Sequence, residues 1–162
     1  MNKSESKSKQ VYAAGCALML YKPILAEKIK VFLNENTNAP ILKHSICCHH
    51  DPKLEKETQV INICAGCDRR FRELYEGVST VSLWEILGES EAFKFPDYGG
   101  AEMVIHDACP IRTEERVHQA VRKLLQRMNI VAIEPAATRT QSNCCGDSFY
   151  GSLPVDGISN GL

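Results

Sequence analysis

The sequence predicts an α/β fold: parallel-sheet strand–helix units in two pseudo-repeated halves, with cysteines gathered at the C-terminal edges of strands. Three observations predict it. Short apolar runs alternate with segments of helical period, the order that gives parallel strands joined by right-handed crossovers. Cysteines follow the apolar runs, at Cys16, Cys47-Cys48, Cys64 and Cys109. The order strand, Cys, helix, strand, Cys-Cys also occurs twice, ending the second time at Cys144-Cys145.

Taken in order, the Lys/Ser stretch of residues 1–9 predicts a disordered, solvated tail. Gln10 to Ala14 is a short apolar run that predicts a buried strand delivering Cys16. Pro23 to Leu33 predicts a helix, with Pro in its first turn and Leu25, Ile29, Phe32 and Leu33 on one face. Ala39 to Ser45 predicts a second strand, leading into Cys47-Cys48. Gln59 to Ile63 predicts a strand, Cys64 to Tyr75 a helix and Val78 to Leu83 a strand, which completes a first half over residues 10–88. Residues 89–100 read as a linker.

The second half spans residues 101–162. Met103-Val104-Ile105 predicts a strand delivering Cys109. Thr113 is the expected cap of a helix with Glu114 and Glu115 in its first turn. Val117, Val121, Leu124, Leu125 and Met128 mark its buried face, and Ile130 to Ile133 predicts the strand after it. Loops at the carboxyl ends of parallel strands collect on one edge of a sheet, so Cys16, Cys47, Cys48, Cys64 and Cys109 are expected to converge there.

A chain of 162 residues is long enough for one well-packed domain or two small halves sharing a core. Its 44% hydrophobic and 24% charged residues are ordinary for a globular protein. A net charge of −1 leaves no electrostatic footprint for nucleic acid. Lysines followed by Val11 to Tyr21, with Ala13-Ala14-Gly15-Cys16 inside, imitate a lipoprotein signal. Only Val11-Tyr12-Ala13-Ala14 precede Gly15-Cys16, whereas a signal needs roughly 7 to 15 apolar residues there. No run approaches the roughly 18 apolar residues of a membrane span. The expectation is a cytoplasmic protein, where thiols stay reduced and a cysteine array serves metal or catalysis.

All eight cysteines fall in the repeated pattern, which points to a soft-metal or redox site with three readings. An iron–sulfur cluster needs thiolates converging from separate loops. Cys64 and Cys67 sit three apart at a helix start, where the helix dipole favours thiolate, and Arg69 and Arg70 add positive charge nearby. Adjacent cysteines project in different directions, so the doublets favour a polynuclear cluster over a single ion. A zinc site is the second reading, with Cys47-Cys48-His49-His50 as donors completed by Cys64 and Cys67. The third is thiol–disulfide exchange through Cys64 and Cys67, since strand, Cys-Ala-Gly-Cys, helix is a thioredoxin-like placement. It leaves the other six cysteines without a role.

Gly15-Cys16, Cys47-Cys48, Cys64-x-x-Cys67, His106-Asp107-Ala108-Cys109-Pro110 and Cys144-Cys145-Gly146 together resemble the cysteine-rich CCG domain family. That family includes the B subunit of heterodisulfide reductase and iron–sulfur subunits of glycolate and lactate oxidation systems. The resemblance implies a non-cubane 4Fe-4S cluster held by Cys16, Cys47, Cys48, Cys64 and Cys67. It also implies electron transfer or disulfide reduction beside redox partner subunits, flavin-containing or ferredoxin-like. The chain departs from the pattern in three places. His49 stands where the first doublet should be followed by Gly, the gap from Cys48 to Cys64 is short, and the second set of Cys109, Cys144 and Cys145 has no CxxC. Three thiolates do not reproduce a five-cysteine site, so that set is expected to be degenerate, to take another metal such as zinc, or to be completed by a partner. The alternative for the whole chain is a non-catalytic zinc- or cluster-binding assembly module.

Among the remaining residues, His49 and His50 are candidate ligands or proton relays, and His106 a candidate for orienting the Cys109 loop. His44 and His118 read as ordinary surface or core histidines. Arg69, Arg70 and Arg72 read as a solvated helix face, and Trp84 as core.

Overall fold

The protein is described by a computed structural model over residues 9–37, 39–46 and 48–144. Residues 1–8, Cys47 and Cys145 lie outside the described residues. The expectations of a disordered tail and of two further thiol ligands therefore lie outside them too.

The fold is α/β. Strand β1 (Gln10–Ala13) leads into a short helix α1 (Cys16–Tyr21) and then α2 (Pro23–Glu35). After β2 (Leu42–Lys43) come β3 (Gln59–Asn62), α3 (Ala65–Leu74), β4 (Ser79–Ser82) and α4 (Leu83–Glu89). The second half holds β5 (Ala101–Val104), α5 (Glu115–Arg127) and β6 (Ile130–Ile133). Four strands form a parallel sheet in the order β2-β1-β3-β4, with Val11 opposite Leu42 and Val60 and Val60 opposite Thr80. β5 and β6 form a separate parallel pair, Ala101 opposite Ile130.

Alternation along β1 and β3 divides the core between two faces, as parallel sheets covered on both sides require. Tyr12, Ala14 and Ile61 turn to one face, where Ala26 and Leu33 of α2 and Leu83 of α4 cover them. Val11, Ala13 and Val60 turn to the other, against Phe71 and Cys67 of α3 and against Cys48. Two of the cysteines are thus built into the apolar layer under α3.

Four elements depart from expectation. The strand expected over Ala39 to Ser45 is cut to two residues, because the Asn34 side chain captures the backbone of Ile41: Asn34 Oδ1 accepts from Ile41 N at 2.7 Å. With Pro40 lacking an N–H, little backbone remains for the ladder. α1 was not foreseen. Nor was α4, although its start is written in the sequence: Ser82 Oγ accepts from Trp84 N, and Glu85 Oε2 accepts from Ser82 N at 2.7 Å, a capping box. The cap of α5 is Glu114 rather than Thr113, whose hydroxyl donates to the Glu114 carboxylate instead.

The two halves are packed together. α4 lies on α5 and α3 lies on the turn at Cys109–Ile111. Asp68, 1% exposed in α3, anchors a charged seam between them. Its carboxylate meets Arg72 at 2.8 Å and Arg116 at 3.6 Å, while Glu114 accepts from both arginines. Residues 90–100 run across the outside, with Phe93 edge-on to Phe32 and Phe95, and the Arg127 guanidinium 4.2 Å from the Phe95 ring centre.

Candidate metal centre

Cys16 follows β1, Cys48 follows β2 and Cys64 caps α3 directly after β3. The parallel sheet therefore brings three cysteine loops to its carboxyl edge. Cys67, one turn into α3, lies within hydrogen-bonding reach of both Cys64 and Cys48. Cys16, Cys48 and Cys67 line one cavity of about 280 Å³ together with Gly15, His44 and Phe71. Cys48 and Cys67 are buried, and Cys16 and Cys64 are exposed. A helix-dipole argument expects easy ionisation at this helix start. Instead the hydrogen bond with Cys64, then burial, then the Cys48 thiol push Cys67 well above the ordinary thiol range.

The chain turns into this convergence at Gly15. Its backbone, at φ 79° and ψ 154°, occupies a region essentially reserved for glycine. A Cβ there would stand 3.5 Å from Cys64 Cβ and 3.9 Å from Cys67 Sγ. The doublet loop is held from its backbone: the Cys48 carbonyl accepts from Arg70 Nε at 3.1 Å, and the Tyr75 hydroxyl donates to the His50 carbonyl at 2.9 Å, with the Cys48 carbonyl 3.3 Å away. Arg70 therefore fastens a cysteine loop, and Arg72 enters the interdomain seam, so only Arg69, paired with Glu73, fits the expected solvated face.

His44, expected to be an ordinary surface or core histidine, is half-buried beside the thiols. It lines the thiol cavity, packs edge-on to Phe71 at 5.8 Å between ring centres, and its buried Nε2 has no hydrogen-bond partner among the described residues. Burial lowers its pKa. His49 and His50 are exposed, and His118 is a core histidine, 1% exposed.

In the second half, Cys109 and Cys144 come from loops 35 residues apart and place their Sγ atoms 4.0 Å from each other. The loops are pinned on both sides of Cys109. Asp107, 5% exposed, accepts from Arg122, from Thr138 Oγ1 at 2.7 Å and from Arg139 N at 2.8 Å. Arg112 Nη2 donates to the Ser142 carbonyl at 2.5 Å. Asp107 therefore orients this loop, while His106, the residue expected to do so, is exposed.

Among the described residues, no three His, Cys, Asp or Glu side chains close into a ready metal-ligating group. The first set nevertheless suits a thiophilic metal or cluster in donor type and position. Its neighbouring thiols and burial raise the proton affinity of Cys67, a penalty on the thiolate that a bound cation would relieve. Comparison of the chain with family profiles, with curated proteins and with solved structures finds no match in any of the three. No helix among the described residues is long and apolar enough to cross a membrane.

Proposed function

We propose that this chain is an iron–sulfur-cluster-binding redox protein of the CCG type. It would work in the cytoplasm within a multi-subunit oxidoreductase, in electron transfer or disulfide reduction beside a flavin-containing or ferredoxin-like partner. The observation that carries this reading is the meeting of Cys48, Cys64 and Cys67, from two loops of the sheet edge, with Cys16 on the same cavity. These four, with Cys47 of the doublet, would hold a 4Fe-4S cluster.

Such a cluster supplies one-electron chemistry when bound. The chain's own residues prepare its place. Cys48 and Cys67 sit in the apolar layer with Phe71 and Val60, away from water. Cys16 and Cys64 are exposed, so a partner has access to them. Arg70 and Tyr75 fix the doublet loop at the Cys48 and His50 carbonyls, as the surroundings of metal ligands commonly do.

Anaerobic purification of the chain followed by iron, labile-sulfide and zinc analysis tests the reading. Iron and sulfide together, with a reducible EPR signal lost in Cys48→Ala, are expected. Zinc without sulfide would instead make the chain a metal-braced assembly module and end the electron-transfer reading.

A further inference from the structure

Cys109 and Cys144 meet in the second half, in surroundings that differ from those of the first set. Cys48 and Cys67 are buried in an apolar layer, whereas Cys144 is exposed and Cys109 is half-buried. An incoming molecule can therefore reach Cys144 first. The two sulfurs stand 4.0 Å apart and must approach to about 2.05 Å to bond, with the exposed Cys144 the more accessible of the two.

The loops are held for this approach by two fastenings that flank Cys109. Two residues before it, Asp107 takes the Thr138 hydroxyl and the Arg139 backbone N–H. Three residues after it, Arg112 takes the Ser142 carbonyl. Both grip the segment that carries Cys144. Arg139 has a left-handed backbone, φ 53°, which a non-glycine residue keeps only when its surroundings impose it; the Asp107 carboxylate supplies that restraint. The chain thus spends a buried carboxylate, a guanidinium and a strained residue on keeping two sulfurs adjacent.

We propose that Cys109 and Cys144 form a dithiol–disulfide couple that exchanges with small disulfides of the glutathione class. The Cys144 sulfur attacks one sulfur of the small disulfide, forming a mixed disulfide and releasing one small thiol. The Cys109 sulfur then attacks Cys144 Sγ, closing the Cys109–Cys144 bond and releasing the second thiol. The net change oxidises the protein dithiol by two electrons and reduces one small disulfide to two thiols. The second step is intramolecular between pre-positioned groups, which favours it over attack by a second external thiol. This couple stands independently of the cluster reading, since it uses none of the first cysteine set.

The test equilibrates the full purified chain with mixtures of reduced and oxidised glutathione, blocks thiols with iodoacetamide and maps the products by mass spectrometry. Alkylation of Cys109 and Cys144 is expected to disappear together as oxidised glutathione rises, with a cross-linked peptide in its place. Cys145→Ser should keep that cross-link, Cys144→Ser should lose it, and Cys109→Ser should gather one glutathione on Cys144. Continued alkylation of Cys109 throughout, a bond from Cys109 to Cys145 in the unmodified chain, or zinc released by Cys109→Ser would each overturn the proposal. Because the mapping is decisive on the unmodified chain, a poorly folding variant does not shield it. Iron and sulfide content, measured separately, reports on the first set alone.

Discussion

The Arg122 guanidinium grips the Asp107 carboxylate with two parallel hydrogen bonds, Nη1 to Oδ1 at 2.9 Å and Nη2 to Oδ2 at 2.8 Å. The same guanidinium reaches Glu134 at 2.6 Å. One α5 side chain thus ties the loop after β5 to the loop after β6. Removing Arg122 leaves Asp107 buried without its cation, and breaking such a pair costs on the order of 3 kcal/mol. Arg122→Met is expected to lower the urea midpoint accordingly. The double change Arg122→Met, Asp107→Leu should recover part of the loss, because no charge is then stranded. Equal destabilisation in single and double variants would remove the ion pair as the cause.

Tyr12 lies under α2, 0% exposed, and its hydroxyl has no hydrogen-bond partner among the described residues. Burial, and secondarily the Glu27 charge, push its pKa up to about 12 from 10.0. The folded state thus holds the phenol proton more tightly than the unfolded chain. That contribution is complete below pH 10 and fades as pH rises from there to about 12. Tyr12→Phe should be more stable than the parent by about 1 kcal/mol at neutral pH, through loss of an unsatisfied buried hydroxyl. It should also lack part of the alkaline decline. Urea unfolding of both proteins at pH 8 and pH 11 would reveal this as a difference that widens with pH.

Long apolar periodicity was legible in the sequence. The β6 boundaries, Ile130–Ile133, and the run of α2 from Pro23 onward follow directly from hydrophobic spacing and proline. The gathering of Cys16, Cys48 and Cys64 on one edge also followed, because parallel strand order fixes it. Side-chain capture of backbone was not legible: nothing in the pattern says that Asn34 will take both polar groups of Ile41 and shorten β2. For the same reason His106 drew attention and Asp107 did not. Spacing marks residue types near a cysteine, whereas burial decides which of them holds the loop. His44 was unreadable because only the sheet brings its ring beside Phe71 and the thiols.

Arg70 donates to the Cys48 carbonyl at 3.1 Å, and the Tyr75 hydroxyl donates to the His50 carbonyl at 2.9 Å, so the two hold the doublet loop from neighbouring points. Tyr75→Phe keeps the ring beside Phe71 and removes only the hydroxyl. Each neutral hydrogen bond is worth about 1 kcal/mol to folding, so global stability should change little. Groups that orient ligands commonly matter more to the bound metal, by about 10–100-fold in affinity. On the cluster reading, Tyr75→Phe and Arg70→Ala should lose iron to a chelator at least about tenfold faster than the parent. Chelator-challenge rates followed by absorbance, alongside unchanged circular dichroism, would make the distinction. Parallel loss of iron and fold would instead mark these residues as general supports.

Gly15 is where the geometry of the first cysteine set is most sensitive to a single atom. At φ 79° and ψ 154° the backbone lies outside the left-handed helical basin that asparagine tolerates, in a region costing other residues about 1–3 kcal/mol. Gly15→Asn should therefore be no better than Gly15→Ala, which separates this position from an ordinary left-handed turn. The added Cβ meets Cys64 Cβ and Cys67 Sγ at ordinary contact distances, so strain rather than collision sets the cost. Relief of that strain requires the backbone to turn at the residue before Cys16. Both variants should lose about 1–3 kcal/mol in urea unfolding, and alkylation of Cys67 should quicken as its cover loosens. An Asn variant as stable as the parent would show that the chain reaches Cys16 by a different backbone path.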